Sequence, residues 1–264
     1  MKAFASDLDR TLIFSRRMLE SFETECKYEP CEIIRGEPSS FISLKTKTIL
    51  TEINNEMLFI PVTTRTKEQY QRIRLFQDEV VPEYAITNNG ATILKNGYEI
   101  KEWKQFIKEE LQSCLSFKQM IMMIEGMGNN SWIQQIKHAD NLFIYLIVNN
   151  RLLSESKIAE LKQWLKSLGW NISLQGRKLY IVPTPIEKWK ATEYLCNHLD
   201  VKHIYTAGDS LLDYELITKS SYGTAPLHGE ILKYYPSLTK TKSYGIKASE
   251  EIVEAVYNNI LLKS

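Results

Sequence analysis

No apolar run in this 264-residue sequence reaches the ~18 residues that a membrane span needs. The N-terminus runs straight into a strand-like segment without the basic, apolar and cleavable pattern of a secretory leader. The four cysteines, Cys26, Cys31, Cys114 and Cys196, show no CxxC spacing and no neighbouring histidine cluster, which argues against a zinc site or a disulfide framework. Net charge is nearly absent: 33 Lys and Arg stand against 32 Asp and Glu, giving a formal +1, and the two signs are interleaved. No polyanion-binding surface follows from that balance, so nucleic acid is not an expected partner. Internal repeats and low-complexity tracts are also missing. What is present is an ordinary globular composition, 44% hydrophobic and 25% charged, with room for one large or two modest domains. The expectation is a cytoplasmic protein with reduced thiols and no membrane partner.

The stretch Lys2 to Phe14, KAFASDLDRTLIF, is the most informative. A short continuous apolar run is the pattern of a fully buried strand, here carried by Ala3, Phe4, Ala5 and Leu8. Asp7 and Asp9 follow at its C-terminal end, where open α/β sheets place ligands. Period two would point both carboxylates the same way, and two such groups repel unless a cation or a shared proton relieves them. A metal site is one explanation; a solvated strand exit with an N-cap is the other.

Other segments repeat the pattern. Between Thr11 and Thr46 lies an irregular excursion in which Cys31 to Arg35 and Ser40 to Leu44 flank a Gly36-Glu37-Pro38 turn, predicting a hairpin over the strand exit or a surface excursion without a role. Thr46 to Asn55 has helical spacing and leads into Met57 to Val62, a buried run ending in Thr63-Thr64-Arg65. Lys67 to Phe76 reads as a helix. Tyr84 to Thr87 reads as a strand closed by Asn88-Asn89-Gly90. Strand and helix thus alternate as in a parallel sheet.

From Ala91 the texture changes. A hairpin around Asn96-Gly97, helix to about Met127, a strand Leu142 to Val148, an amphipathic helix Ser154 to Leu168 stopped by Gly169, and a strand pair around Gly176 suggest an inserted α+β module of roughly 90 residues. Met122, Met123, Met127, Trp132, Trp164 and Trp170 are expected in its core. After Pro183-Thr184-Pro185, Ile186 to His198 is helical with Lys188 in its first turn. His203 to Ala207 is a strand ending in Gly208-Asp209-Ser210-Leu211-Leu212-Asp213. Leu211 to Lys219 reads as a helix and Ser221 to Ala225 as a strand. Ser249 is the expected N-cap of a closing helix that runs to Leu262 and shows Ile252, Val253, Val256 and Ile260 on one face.

Asp7-x-Asp9-x-Thr11, Thr63 after a strand, Lys188 opening a helix and Gly208-Asp209-x-x-x-Asp213 resemble, in order and spacing, the four motifs of the haloacid dehalogenase (HAD) superfamily. The insertion resembles the large α/β cap of its type II branch, which holds the Cof-type sugar phosphatases, sucrose-phosphate phosphatase and phosphomannomutase. The resemblance implies an α/β fold, a Rossmann-like parallel-sheet core at 1–90 and 184–264 with an inserted α+β cap at 91–183 that closes over the strand ends and sets specificity. It implies a Mg²⁺-dependent phosphoric monoester hydrolase that acts on a small phosphorylated, sugar phosphate-like metabolite.

The expected roles follow from what a resistant, anionic phosphate ester demands. Asp7 is the candidate nucleophile that forms an aspartyl-phosphate. Asp9, as the resemblance implies, protonates the leaving oxygen and then deprotonates the attacking water. Thr63 offers its hydroxyl and backbone N–H to a phosphoryl oxygen, and Lys188 places a positive charge there. Thr11, Thr64, Arg65 and Asn89 join Thr63 and Lys188 as expected substrate contacts. Asp7, Asp9, Asp209 and Asp213 are the expected metal group, with Asp213 contributing from the outer shell or by fixing Lys188. Arg10 stands where the family has glycine, Thr64 replaces the glycine of its Thr-Gly-Arg, and Leu212 replaces an asparagine. A phosphomutase sharing the aspartyl-phosphate and a non-catalytic metabolite-binding protein are the alternatives; the metabolite itself and the oligomeric state stay open.

Overall fold

The structure, a computed structural model, describes residues 1–22, 25–127 and 130–261, with side chains as far as residue 259. In chain order its regular elements are β1 (Lys2–Ser6), β2 (Phe14–Ser15), α1 (Arg16–Ser21), β3 (Tyr28–Ile34), β4 (Glu37–Ser43), α2 (Leu44–Glu56), β5 (Leu58–Pro61), α3 (Lys67–Gln71), β6 (Tyr84–Thr87), β7 (Thr92–Lys95) and β8 (Tyr98–Glu99). There follow α4 (Lys101–Glu110), α5 (Phe117–Gly126), β9 (Ile133–Ala139), β10 (Phe143–Val148), α6 (Glu155–Ser167), β11 (Trp170–Gln175) and β12 (Lys178–Pro183). The chain ends with α7 (Lys188–His198), β13 (His203–Ala207), α8 (Tyr214–Lys219), β14 (Tyr222–Thr224) and α9 (Gly245–Leu261). It divides into two compact units, Met1–Glu99 with Lys188–Ser264, and Ile100–Glu187.

The first unit is built on a sheet of order β14-β13-β1-β5, in which every pairing is parallel. An isolated parallel bridge from Val62 to Ile86 attaches β6 beyond β5. Successive side chains of β1 point to opposite faces of the sheet, and Ala3, Phe4 and Ala5 are all wholly buried, so both faces are covered, which explains the unbroken apolar run. Phe4 stacks on Phe59 at 5.8 Å, and Leu50 and Ile53 of α2 join Ile252, Val253 and Val256 of α9 in the same cluster. Each such side chain contributes about 1.5–3 kcal/mol through burial. Register decides what happens at the edge of this sheet. Ser6 lies level with Ala207 of β13 and with Pro61 of β5, so the residues that follow the three strands emerge side by side.

The excursion after Thr11 is ordered where it is described. β3 and β4 pair antiparallel around Arg35 (φ 53) and Gly36 (φ 85), a two-residue turn with both central residues left-handed, and β2 pairs the other side of β4. The helix read over Lys67 to Phe76 is shorter than its pattern: α3 stops at Gln71 and a π turn covers Leu75–Glu79. Between them Ile73 makes an isolated bridge to Glu32 of β3, which takes its backbone out of the helix. The β7–β8 hairpin, read as part of the insertion, pairs antiparallel with β6 and belongs to this first unit. Ser249 is not an N-cap. α9 opens at Gly245, one turn earlier, and the Ser249 hydroxyl donates back to the Ile246 carbonyl at 2.6 Å and meets Thr46 Oγ1 at 2.8 Å. Leu262 lies outside the described residues, as does the side chain of Ile260.

The second unit is an antiparallel sheet of order β11-β12-β10-β9 with α4, α5 and α6. Its core gathers Met120, Ile124, Trp132, Ile144, Leu146, Leu161, Leu165, Trp170, Leu179 and Ile181, with Met127 and Trp164 packed at the margin. Met122 and Met123 do not belong there: they are 63% and 40% exposed. On α5 the inward pair is Met120 and Ile124, four residues apart, which turns the two intervening methionines outward. β9 is a strand that no apolar pattern announced, since its burial runs in threes and not in alternation. Among the described residues no helix is long and apolar enough to cross a membrane.

Candidate active site

Four level strand ends and one helix start deliver the site. Asp7 follows β1 and its N–H donates to the Ala207 carbonyl at 2.9 Å, while Val62 N–H donates to the Ser6 carbonyl at 2.7 Å and Thr63 N–H to that of Ile86 at 2.8 Å. The peptide ladder thus runs one residue beyond the strands and fixes where the side chains leave. Asp209 and Asp213 come from the turn after β13, and Lys188 is the first residue of α7.

Lys188 is 1% exposed and its Nζ donates to Asp7 Oδ1 and to Asp213 Oδ1, both at 2.6 Å. Burial alone would depress this ammonium; the carboxylates of Asp213 and Asp7 outweigh it and hold the pKa above its ordinary value. Asp7 has its second oxygen capped by the Thr11 hydroxyl at 3.0 Å. Burial pushes the Asp7 carboxyl up to about 7 against the pull of Lys188, with Asp213 adding to the rise. Asp209 is raised for the same first reason, opposed by Arg10.

Asp213 is fully buried and both its oxygens are committed: Oδ2 accepts the Ser210 N–H at 2.9 Å and the Ser210 hydroxyl at 2.7 Å. Gly208 is required for this. A Cβ built on it would lie 2.3 Å from Asp213 Cβ and 2.4 Å from its Cγ, so any side chain at 208 would displace the carboxylate.

Asp7, Asp209 and Asp213 each offer one carboxylate oxygen, all within 4.8 Å of one another. Three buried hard-oxygen donors, two of them with raised pKa values, form a donor set that fits a small divalent cation such as Mg²⁺. Since Asp213 spends its oxygens on Lys188 and Ser210, Asp7 and Asp209 are the members with most capacity left for an ion. Asp9 is not in this group. The chain leaves the strand at Ser6 and Arg10 is left-handed (φ 68), so period two no longer aligns Asp9 with Asp7. Its carboxylate, 49% exposed, is gripped instead by Arg65, with Nε donating to Oδ2 at 2.7 Å and Nη2 to Oδ1 at 2.8 Å.

The remaining expected contacts lie just after the ends of β5 and β6. Thr63 is buried and its hydroxyl oxygen accepts the Arg65 N–H at 3.1 Å, which leaves its hydroxyl proton to be donated. Its backbone N–H, in contrast to the sequence reading, is used by Ile86. Thr64 is half-buried; Asn89 is buried and left-handed (φ 57), with its N–H donating to the Thr63 carbonyl at 2.9 Å. Arg10 contacts Asp209 Oδ2 at 3.0 Å through Nε, an ionic contact whose N–H is not aligned as a hydrogen bond, and Glu230 lies 3.9 Å from its Nη1. His228 fixes the Arg10 backbone. Its Nδ1 accepts the Gly245 N–H at 3.0 Å, so Nε2 carries the proton and donates to the Arg10 carbonyl at 2.8 Å. Glu32, which holds Arg65, and Ser210, which donates twice to Asp213, were not singled out by the sequence; Ser210, at an unspecified position of the Gly208 to Asp213 motif, could have been found from its capping position.

A parallel sheet with a lysine-bridged aspartate pair at its strand ends and an inserted antiparallel module defines a HAD subclass IIB fold. The family model for sucrose-6F-phosphate phosphohydrolase matches residues 1–260, and the chain belongs to that family. Solved structures agree on the fold. The sucrose-phosphatase from Synechocystis sp. PCC6803, determined with sucrose and phosphate, has a TM-score of 0.69 at 18% identity over 98% of this chain and 99% of that one. A HAD subclass IIB sugar phosphatase has a TM-score of 0.69 at 14% identity, covering 98% and 100%. A haloacid dehalogenase-like hydrolase from Bacteroides thetaiotaomicron has a TM-score of 0.61 at 14% identity, covering 97% and 99%. No curated protein matches the chain in sequence.

Proposed function

We propose that this protein is a Mg²⁺-dependent phosphatase of a small phosphorylated metabolite of the sugar-phosphate type, working through an aspartyl-phosphate on Asp7. The observation that carries the reading is the buried line Asp7–Lys188–Asp213 beside Asp209, in which an aspartate at a strand end is held by the one kind of partner, a fixed ammonium, that a phosphoryl group also needs. Membership of a sucrose-phosphate phosphatase family supports the substrate class.

In the first half-reaction an Asp7 oxygen attacks phosphorus, the bond from phosphorus to the ester oxygen breaks, and Asp9 gives its proton to that oxygen. In the second, water attacks the aspartyl-phosphate, Asp9 takes the water's proton, and Asp7 leaves as the carboxylate. Lys188 and the Thr63 hydroxyl face the phosphoryl oxygens, whose charge is spread in the transition state. Thr11 holds Asp7 against rotation, Asp213 holds Lys188, and Thr64, Arg65 and Asn89 border the strand ends where the ester would enter. Asp7 and Asp209 would hold the Mg²⁺, which supplies positive charge to the phosphoryl group when bound. The free state of all four cysteines fits a reducing, cytoplasmic setting.

The test is phosphate release from a panel of sugar phosphates, nucleotides and phosphorylated cofactors, with Mg²⁺ and with excess EDTA. Mg²⁺-dependent turnover concentrated among the sugar phosphates is the expected result. Release from none of the panel, or equal release in EDTA, would overturn the reading.

A further inference from the structure

Glu32 lies on β3, far in sequence from every motif, and is 1% exposed. Burying a carboxylate is costly unless hydrogen bonds and opposite charge replace its water. Glu32 has both. Arg65 Nη1 donates to Oε1 at 2.9 Å, the Ser40 hydroxyl donates to Oε2 at 2.7 Å, and Arg72 Nε lies 3.5 Å from Oε1. The β3–β4 hairpin is held by its own ladder from Tyr28–Ser43 to Ile34–Glu37 and needs no buried charge. The group that Glu32 serves is Arg65.

Arg65 uses its three nitrogens in two directions. Nε and Nη2 grip both oxygens of Asp9, and Nη1 is held by Glu32. A guanidinium is a rigid planar fork, so fixing Nη1 fixes the edge that it presents to Asp9. Ser40 Oγ, 3.4 Å from Nη2, and the Gln69 carbonyl, 3.4 Å from Nη1, close the frame. Side-chain exposure falls from 49% at Asp9 through 12% at Arg65 to 2% at Glu32, so the line is anchored in the interior and ends at the accessible edge of the site.

We propose that Glu32 is a positioning residue for Asp9, acting through Arg65, and that the β3–β4 hairpin is by this contact part of the catalytic apparatus. The inference rests on the reading of Asp9 as proton donor. Arg65 holds Asp9 by one edge of its carboxylate, so the tilt of the fork sets where the remaining lone pairs point, toward the ester oxygen in the first half-reaction and toward the water in the second. A fork free to tilt loses this alignment. The loss falls where proton transfer matters, on esters with poor leaving groups.

The test measures kcat on an alkyl phosphate and on p-nitrophenyl phosphate, whose leaving group needs little help, for Glu32→Gln, Asp9→Asn and the double variant. Glu32→Gln should lower kcat on the alkyl ester about tenfold and on p-nitrophenyl phosphate by less than about threefold, and it should add nothing in the Asp9→Asn background. Arg65→Lys, which keeps the charge and loses the fork, should show the same ester dependence and covers the case of a poorly folded Glu32 variant. Equal loss on both esters, no loss, or a full additional loss on top of Asp9→Asn would overturn the inference. Should Asp9→Asn itself affect both esters equally, the reading of Asp9 as donor fails first and this inference falls with it.

Discussion

Replacing Asp213 by asparagine probes the arrangement around Lys188 with almost no change of volume. The native carboxylate accepts three hydrogen bonds in full burial, one from Lys188 at 2.6 Å and two from Ser210 at 2.9 and 2.7 Å. An amide has one oxygen and one NH₂, so one side must face donors with a donor. The cheaper orientation keeps the oxygen on Lys188 and turns the NH₂ to Ser210, whose hydroxyl can rotate to accept but whose N–H cannot. One buried N–H is left unsatisfied, about 1–3 kcal/mol, and the bond to Lys188 keeps its charged donor but loses its charged acceptor, about 1 kcal/mol more. Relief of repulsion between Asp213 and Asp7 offsets part of this, so a net loss of about 2–3 kcal/mol is expected. With one anionic partner gone, Lys188 shifts toward Asp7, away from where a phosphoryl oxygen would sit. If that misplacement costs about 2 kcal/mol in the transition state, kcat falls roughly thirtyfold. Urea unfolding and steady-state phosphate release measure the two effects. An unchanged unfolding midpoint together with kcat within about twofold of the parent would refute the reasoning, since no account of these bonds leaves both intact.

Further expectations follow from the same geometry. Gly208→Ala should destabilise by about 1–3 kcal/mol and slow turnover as Asp213→Asn does, because the new Cβ meets the Asp213 side chain at 2.3 Å; chemical unfolding and kcat check it. In EDTA, stability should fall as pH rises from 6.5 to 8. Asp7, raised to about 7 in the folded state, binds a proton there that the unfolded chain has already lost, and Asp209 acts in the same direction. His228, lowered to about 4 by burial, acts the other way, because its unfolded form goes on losing protons just above 6.5, and it offsets part of this fall without involving the metal site. Mg²⁺ should therefore raise the melting temperature more at pH 8 than at pH 6.5; an equal rise at both, or none, would contradict the assignment of Asp7 and Asp209 as its ligands.

Residues whose chemistry is tied to a strand end were legible because two local signals coincide there, an apolar run and a polar break. That is why Asp7, Thr63 and Asp209 could be assigned to strand exits and why the parallel core followed; grouping them with Lys188 and Asp213 took the resemblance to the HAD motifs. Asp9 shows the limit of the rule. Side-chain alternation holds only while the chain is a strand, and the left-handed Arg10 redirects it. Glu32 shows another limit: its importance comes from Arg65, 33 residues later, and nothing in the local text of β3 marks a glutamate as buried. Ser249 failed as a cap because its hydroxyl bonds inside α9, a use of serine that the sequence cannot separate from capping. On α5, both the buried Met120 and the exposed Met122 sit in one apolar run, so composition alone gave no inward face.

The central claim is that Asp7 is the nucleophile, and turnover of p-nitrophenyl phosphate by Asp7→Asn at saturating Mg²⁺ tests it most directly. Asparagine keeps the shape and can still accept from Lys188 or Thr11, but it cannot form the aspartyl-phosphate. The account predicts a folded protein with kcat lowered by more than about a thousandfold, several kcal/mol of barrier. A folded Asp7→Asn enzyme that releases phosphate within about tenfold of the parent rate would contradict it.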